Sequence, residues 1–136
     1  MNTNGHITGA PKAILHLEGL GVMALSAWAY GQAGLGWGWF AGLFLAPDLM
    51  MFGYLGGRRL GAAAYNLGHS YVGPMILLAL GFGLHIQLLL GLGLIWTTHI
   101  GFDRALGYGL KYGDGFGFTH LGANRKARAE CAAAAA

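Results

Sequence analysis

Charged side chains are scarce in this 136-residue chain: eight Lys and Arg and five Asp and Glu together make up 10% of it. A soluble domain carries roughly 25%, so an ordinary water-soluble globule is excluded. The net charge of +3 is small and confined to the ends of apolar stretches, which excludes nucleic acid as a partner. Cysteine occurs once, at Cys131, so neither an intrachain disulfide nor a thiolate metal site can be built. A phosphate-binding loop is absent as well. Gly34, Gly36 and Gly38 follow no strand and lead into no suitable Lys or Ser.

Apolar residues, at 55%, are what the chain has instead. Four stretches approach the ~20 residues needed to cross ~30 Å of hydrocarbon: Ala13–Tyr30, Trp37–Leu55, Leu60–Phe82 and Ile86–Asp103. The breaks between them are short, which favours neighbouring antiparallel helices. The expected fold is an all-α membrane protein, a four-helix transmembrane up-down bundle. Residues 1–12 precede the transmembrane domain 13–112, and 113–136 form a C-terminal segment ending in an alanine run. Lys12, Arg58, Arg59, Arg104, Lys111, Arg125, Lys126 and Arg128 all fall on one side of such a bundle. The positive-inside rule then places both termini in the cytoplasm of a bacterial inner membrane. Cleavage after Ala27-Trp28-Ala29, as of a signal peptide, is disfavoured by His16 and Glu18 within the apolar stretch. Tyr30, Trp37 and Trp39 flank the outer break and fit an interfacial aromatic belt.

Five ionisable residues interrupt these stretches: Glu18, Asp48, His69, His99 and Asp103. A charge near the bilayer centre costs about 2.5–3.5 kcal/mol on insertion scales, so such residues face a protein interior. At ~1.5 Å per helical residue, Asp48 and His69 lie roughly 13 Å from the cytoplasmic end of their spans. His99 and Asp103, four residues apart, share one helix face. The ionisable groups therefore gather in the cytoplasmic half, with Tyr65, Asn66 and Ser70 beside His69 and Arg104 beside Asp103. Pro47 bends its helix next to Asp48 and opens room for water or a ligand. The plainer alternatives are that Asp103 pairs with Arg58 or Arg59, that Glu18 bonds Lys12, and that His69 is a neutral imidazole satisfied by Asn66, Tyr71 or a carbonyl. The 26 glycines, among them Gly38-xxx-Gly42, Gly53-xxx-Gly57, Gly19 with Gly21 and Gly91 with Gly93, suit close helix packing or association with a second copy or a larger membrane complex.

Several strings converge on one family. They are Pro47-Asp48-Leu49 with Gly53-Tyr54, Tyr65-Asn66-Leu67-Gly68-His69-Ser70-Tyr71 with Pro74, His99-Ile100-Gly101-Phe102-Asp103-Arg104 running into Gly107-Tyr108, and Thr119-His120-Leu121-Gly122. From Leu15 to Gly122 the chain resembles a bacterial family of small membrane proteins known as domain of unknown function 4260. The resemblance implies that Asp48, His69, His99, Asp103 and His120 match the family's pattern, and supplies no activity. It brings in His120, at the end of Phe116-Gly117-Phe118-Thr119-His120, as a residue of a segment able to fold back over the cytoplasmic mouth.

Three functional classes fit these residues. In a membrane-embedded enzyme, Asp48, His69, His99 and Asp103, with His120 a further candidate ligand, hold Zn²⁺ or Fe²⁺ and act on a lipid-like substrate. Without metal, His69 or His99 is a general base oriented by Asp103, with Ser70 the nucleophile. In an accessory subunit, the same groups form a hydrogen-bond network that fixes helix register. In a b-type haem protein, His69 and His99 are axial ligands. A proton relay uses the same Asp and His inventory.

Overall fold

The computed structural model describes residues 7–113 and 117–123, with positions 127, 129, 132 and 133 beyond them. Phe116, Arg125, Lys126, Arg128 and Cys131 lie outside the described residues, as do residues 1–6. The described chain is mostly helical: α1 (Ala10–Gln32), α2 (Trp37–Leu43), a 3₁₀ helix (Ala46–Gly56), α3 (Arg58–Gly68), α4 (Val72–Gly83) and α5 (Gln87–Leu106). A two-residue hairpin pairs β1 (Phe118–Thr119) with β2 (Gly122–Ala123) in antiparallel fashion. Two helical stretches are long and apolar enough to cross a membrane, Ala10–Gln32 and Trp37–Gly56.

The three prolines explain where the helices begin. Proline lacks an N–H and its ring clashes with the carbonyl four residues earlier, so it is tolerated in a first helical turn and breaks a helix elsewhere. Pro11 lies in the first turn of α1, and Pro74 is the third residue of α4. Pro47 opens the 3₁₀ helix, and α2 stops at Leu43, the residue whose carbonyl its ring would strike. The second and third apolar stretches are therefore not continuous α-helices. The second changes to 3₁₀ geometry at Ala46, and the third is interrupted at His69–Tyr71.

Backbone groups freed by the second break find partners on α5. Trp96 Nε1 donates to the carbonyl of Gly68, and an Arg104 guanidinium N–H donates to the carbonyl of His69 at 3.0 Å. This is the condition under which broken helices persist in an apolar surrounding.

Close approach of glycine backbones builds the packing. α1 lies along α5, where a Cβ on Gly19 would come within 2.6 Å of Arg104 and one on Gly101 within 2.7 Å of the Met23 backbone. A buried Ser26–Thr98 hydroxyl pair, 2.8 Å apart, joins the same two helices nearer the opposite end. The 3₁₀ helix packs on α3 and α4 on α5. Cβ positions on Gly21, Gly38 and Gly42 meet nothing within 4 Å, so those glycines serve no internal contact. Tyr30, expected in an outer aromatic belt, is instead fully buried and donates to the Gly36 carbonyl at 2.9 Å, whereas Trp37 and Trp39 are exposed. α5 ends at Gly107, whose left-handed φ of 89° lets the Tyr108 N–H reach back to the Asp103 carbonyl at 2.8 Å.

Candidate metal centre

Each helix break delivers one side chain to a common point against α5. Asp48 follows Pro47 in the first turn of the 3₁₀ helix, and His69 caps the end of α3. His99 and Asp103 project from α5 one turn apart, as their spacing requires. Ligand-capable atoms of all four residues lie within 4.8 Å of one another.

The distances within the group are informative. His69 Nε2 is 3.2 Å from His99 Nε2, 3.2 Å from Asp48 Oδ1 and 3.3 Å from Asp103 Oδ2. His99 Nε2 is 3.5 Å from Asp48 Oδ1 and 3.7 Å from Asp103 Oδ2. A metal ion held tetrahedrally at 2.0–2.1 Å by nitrogen and oxygen ligands separates those ligands by about 3.3–3.4 Å. Five of the six edges of the group scatter around that length.

Proton accounting points the same way. His69 Nδ1 lies 2.9 Å from the Tyr65 carbonyl, which only accepts, so the proton resides on Nδ1. In the neutral ring Nε2 then turns a lone pair toward two carboxylate oxygens and a second imidazole nitrogen. Such a convergence of acceptors repels itself unless protons or a cation occupy the middle. Fixing one imidazole nitrogen by a carbonyl while the other faces inward is also how metal-ligating histidines are oriented. His99 Nδ1 is buried and has no hydrogen-bond partner. Its ring is held by packing, edge-on to Phe44 at 5.3 Å between centroids.

Around the group the support is dense on the side of the segment that follows α5. The Tyr65 ring stacks on His69 at 3.8 Å with 8° between planes, its hydroxyl donates to Asp103 Oδ2 at 3.4 Å, and the Lys111 ammonium lies 5.0 Å from its other face. Asn66 exchanges two hydrogen bonds with the Lys111 backbone, 2.9 and 2.7 Å, pinning the segment after α5 to α3. His120 grips that segment from beyond: its Nδ1 accepts from the Leu110 N–H at 2.9 Å and its N–H donates to the Leu110 carbonyl at 3.2 Å. Burial, and secondarily the Arg104 charge, lower the His120 pKa from its ordinary value. Burial likewise lowers the Lys111 pKa, opposed by Asp103. On the opposite side, Phe40, Phe44 and Phe102 form an aromatic wall with ring centroids 5.6 and 5.7 Å apart.

The four residues of the centre differ in access. His69 and His99 side chains are 1% exposed and Asp103 12%, whereas Asp48 retains 39%. Asp48 is the open corner. Among the other residues singled out above, Arg104 braces the His69 carbonyl, and His120 braces the segment after α5 and, contrary to its candidacy as a ligand, stands outside the group of four. Ser70 makes only a 3.5 Å contact with the Leu67 carbonyl. Glu18 is exposed on the flank of α1 and stands outside the group. Asp103 faces the two histidines and Tyr65, and Arg58 and Arg59 are exposed. The 3.2 Å between the histidine Nε2 atoms leaves no room for a porphyrin between them. Trp96 was not legible as part of this region, since an indole in an apolar helix reads as packing. The signal was the end of α3 at Gly68, whose last carbonyls a neighbouring N–H donor must satisfy.

Comparison with known proteins is sparse. No curated protein and no solved structure matches the chain. A family match covers residues 12–123, and by it the chain belongs to the family described as Domain of unknown function (DUF4260).

Proposed function

We propose that this protein is an integral membrane enzyme that uses a divalent metal ion, held by Asp48, His69, His99 and Asp103, on a lipid-like substrate drawn from the cytoplasmic leaflet of a bacterial inner membrane. The observation that carries the reading is the convergence of four ligand-capable atoms, all within 4.8 Å of one another, delivered by two helix breaks and α5. Zn²⁺ suits two imidazoles and two carboxylates at this spacing, and Fe²⁺ accepts the same ligands. A metal of this kind lowers the pKa of a bound water to about 7 and supplies a nucleophile. Asp48, the most exposed of the four, marks where water and substrate would approach.

The membrane topology in this reading has four crossings in an up-down bundle: α1, α2 with the 3₁₀ helix, α3 with α4, and α5. Both termini and the turn at Gly57–Arg59 are cytoplasmic, following the Lys and Arg asymmetry. Support comes from the two membrane-length stretches and from an apolar perimeter that exposes Leu17, Leu25, Trp28, Phe52, Leu55 and Phe82, among others. The open Cβ positions of Gly38 and Gly42 leave a notch on α2 for a second copy or a larger complex. A strictly monomeric mass for the nanodisc-embedded protein sinks that last element.

A second reading has a specific observation behind it. Four protein ligands are the closed count of a structural zinc site, whereas catalytic sites keep a position for water. In an accessory subunit the metal then only fixes the helix breaks. Elemental analysis and a visible spectrum of the purified protein test both readings. One equivalent of Zn or Fe that is lost in His69→Ala and His99→Ala supports the centre. Metal that survives both substitutions, or none after loading of the folded wild type, removes it. Asp48→Asn separates the two readings. An enzyme loses turnover of a lipid ester while the remaining ligands retain metal, and a structural site loses thermal stability together with its metal.

A further inference from the structure

We infer that the metal centre adjoins a slot for one hydrocarbon chain, a cavity of about 250 Å³ between the second apolar stretch and helices α4 and α5. This inference rests on the enzyme reading above and narrows its substrate to an amphiphile whose reacting group heads a single alkyl or acyl chain. Contiguity with the centre is its first support. The cavity wall includes Pro47, Gly68 and Ile95. The first two immediately precede Asp48 and His69 in the chain, and Ile95 is one helical turn from His99. Three of the four ligands thus lie within one helical turn, along the chain, of residues that form the wall. Both helix breaks border it, since α2 ends at Leu43 and α3 at Gly68, which also line it.

Chemistry of the lining selects the occupant. The remaining wall is Ala46, Met50, Leu77, Leu92 and Trp96. The one side-chain N–H there, Trp96 Nε1, is already committed to the Gly68 carbonyl. A sugar, nucleotide or peptide would bury polar groups with no partner, which burial penalises; a hydrocarbon leaves nothing unpaired. The volume holds roughly eight groups of the size of a water or a methylene, at about 30 Å³ each. Ala46 and Met50 are exposed at the apolar perimeter, so a chain enters from the lipid side. Because lipid tails are as apolar as the slot, transfer from the bilayer itself gains little. The slot therefore orients a chain and measures its length, placing the head beside Asp48.

Trp96 is a reporter inside the wall. The test uses full-length protein in nanodiscs with Trp28, Trp37 and Trp39 replaced by Phe, titrated with terminally brominated fatty acids of graded length. A parallel protein keeps only Trp28, which is exposed on α1. The expected result is saturable quenching of Trp96, strongest for chains of about eight carbons and weaker for longer ones, against quenching of Trp28 that rises linearly with bromine content. Ala46→Phe and Leu77→Phe, which fill the slot from opposite walls, should each weaken Trp96 quenching by about threefold or more. Linear quenching of Trp96 that both fillings leave unchanged overturns the inference. So does complete protection of Trp96, which assigns the slot to a second copy or a partner helix. Metal content measured on the same samples keeps the two proposals apart. Saturable quenching without metal preserves the slot and removes the metal enzyme, and metal with linear quenching does the reverse.

Discussion

Tyr65 shows how much a single residue contributes at this centre. Its carbonyl fixes the tautomer of His69, its ring stacks on the same imidazole, and its hydroxyl reaches Asp103. Tyr65→Phe keeps the first two contacts and removes the third, so it isolates the effect of orienting one carboxylate. Partners of this kind are worth 10–100-fold in metal affinity, and the 3.4 Å hydroxyl bond places Tyr65→Phe near the lower bound, about tenfold. Competition with a fluorescent chelator measures it, and unchanged affinity would show that Asp103 is positioned by α5 alone. The four central residues were legible in the sequence because a carboxylate or imidazole inside an apolar stretch has no inexpensive explanation. Glu18 met the same criterion and does not join them, because hydropathy says that a charge must be accommodated and not which way its helix face turns. Trp96 and Phe44 were hidden for the opposite reason, being apolar residues among apolar residues.

At the scale of elements, the helix breaks position the site, and their causes can be separated. Pro47→Ala removes the clash that ends α2 at Leu43, so α-helical geometry extends toward Gly56. At 100° per residue instead of 120°, Asp48 then turns away from His69. The expected outcome is metal affinity reduced by roughly tenfold or more, with helical circular dichroism unchanged or higher. Retained affinity would mean that the bend is set by packing on α3. Trp96→Phe addresses the other break by leaving the Gly68 carbonyl unpaired, at a cost of about 1–3 kcal/mol, to be read as lowered resistance to SDS unfolding. The proline signals were visible in the sequence, but a hydropathy plot treats 60–82 as one span because the interrupting His69-Ser70-Tyr71 is too short to lower the average. The segment after α5 carries its own pH response. His120 accepts a bond from Leu110, and its lowered pKa means that the unfolded state binds its proton more readily. Its contribution is complete above the ordinary histidine pKa of about 6.5 and declines as pH falls toward the lower folded value. Amide exchange at Leu110, corrected for its intrinsic pH dependence, should accelerate between about pH 7 and 5. His120→Gln should flatten that response.

For the whole molecule, the sequence carried its strongest statement in the placement of charge, and packing carried what charge does not encode. Which helices touch follows from Gly19 and Gly101 between α1 and α5, and from Gly53 and Gly61 where the 3₁₀ helix meets α3. Small-residue spacing alone did not separate these from Gly38 and Gly42, which face outward. Orientation is a different matter, because basic residues near helix ends are retained on the cytoplasmic side whatever the packing. Four crossings put residues 37 and 84 on the outer face and residue 58 on the inner one. In a Cys131→Ser background, single cysteines replacing Trp37 or Leu84 should react with a membrane-impermeant maleimide in intact cells, and a cysteine replacing Arg58 only after lysis. With two crossings, formed by Ala10–Gln32 and Trp37–Gly56 alone, residue 84 would be protected along with residue 58. Labelling at position 84 therefore decides whether α3, α4 and α5 cross the bilayer or stay on one side of it.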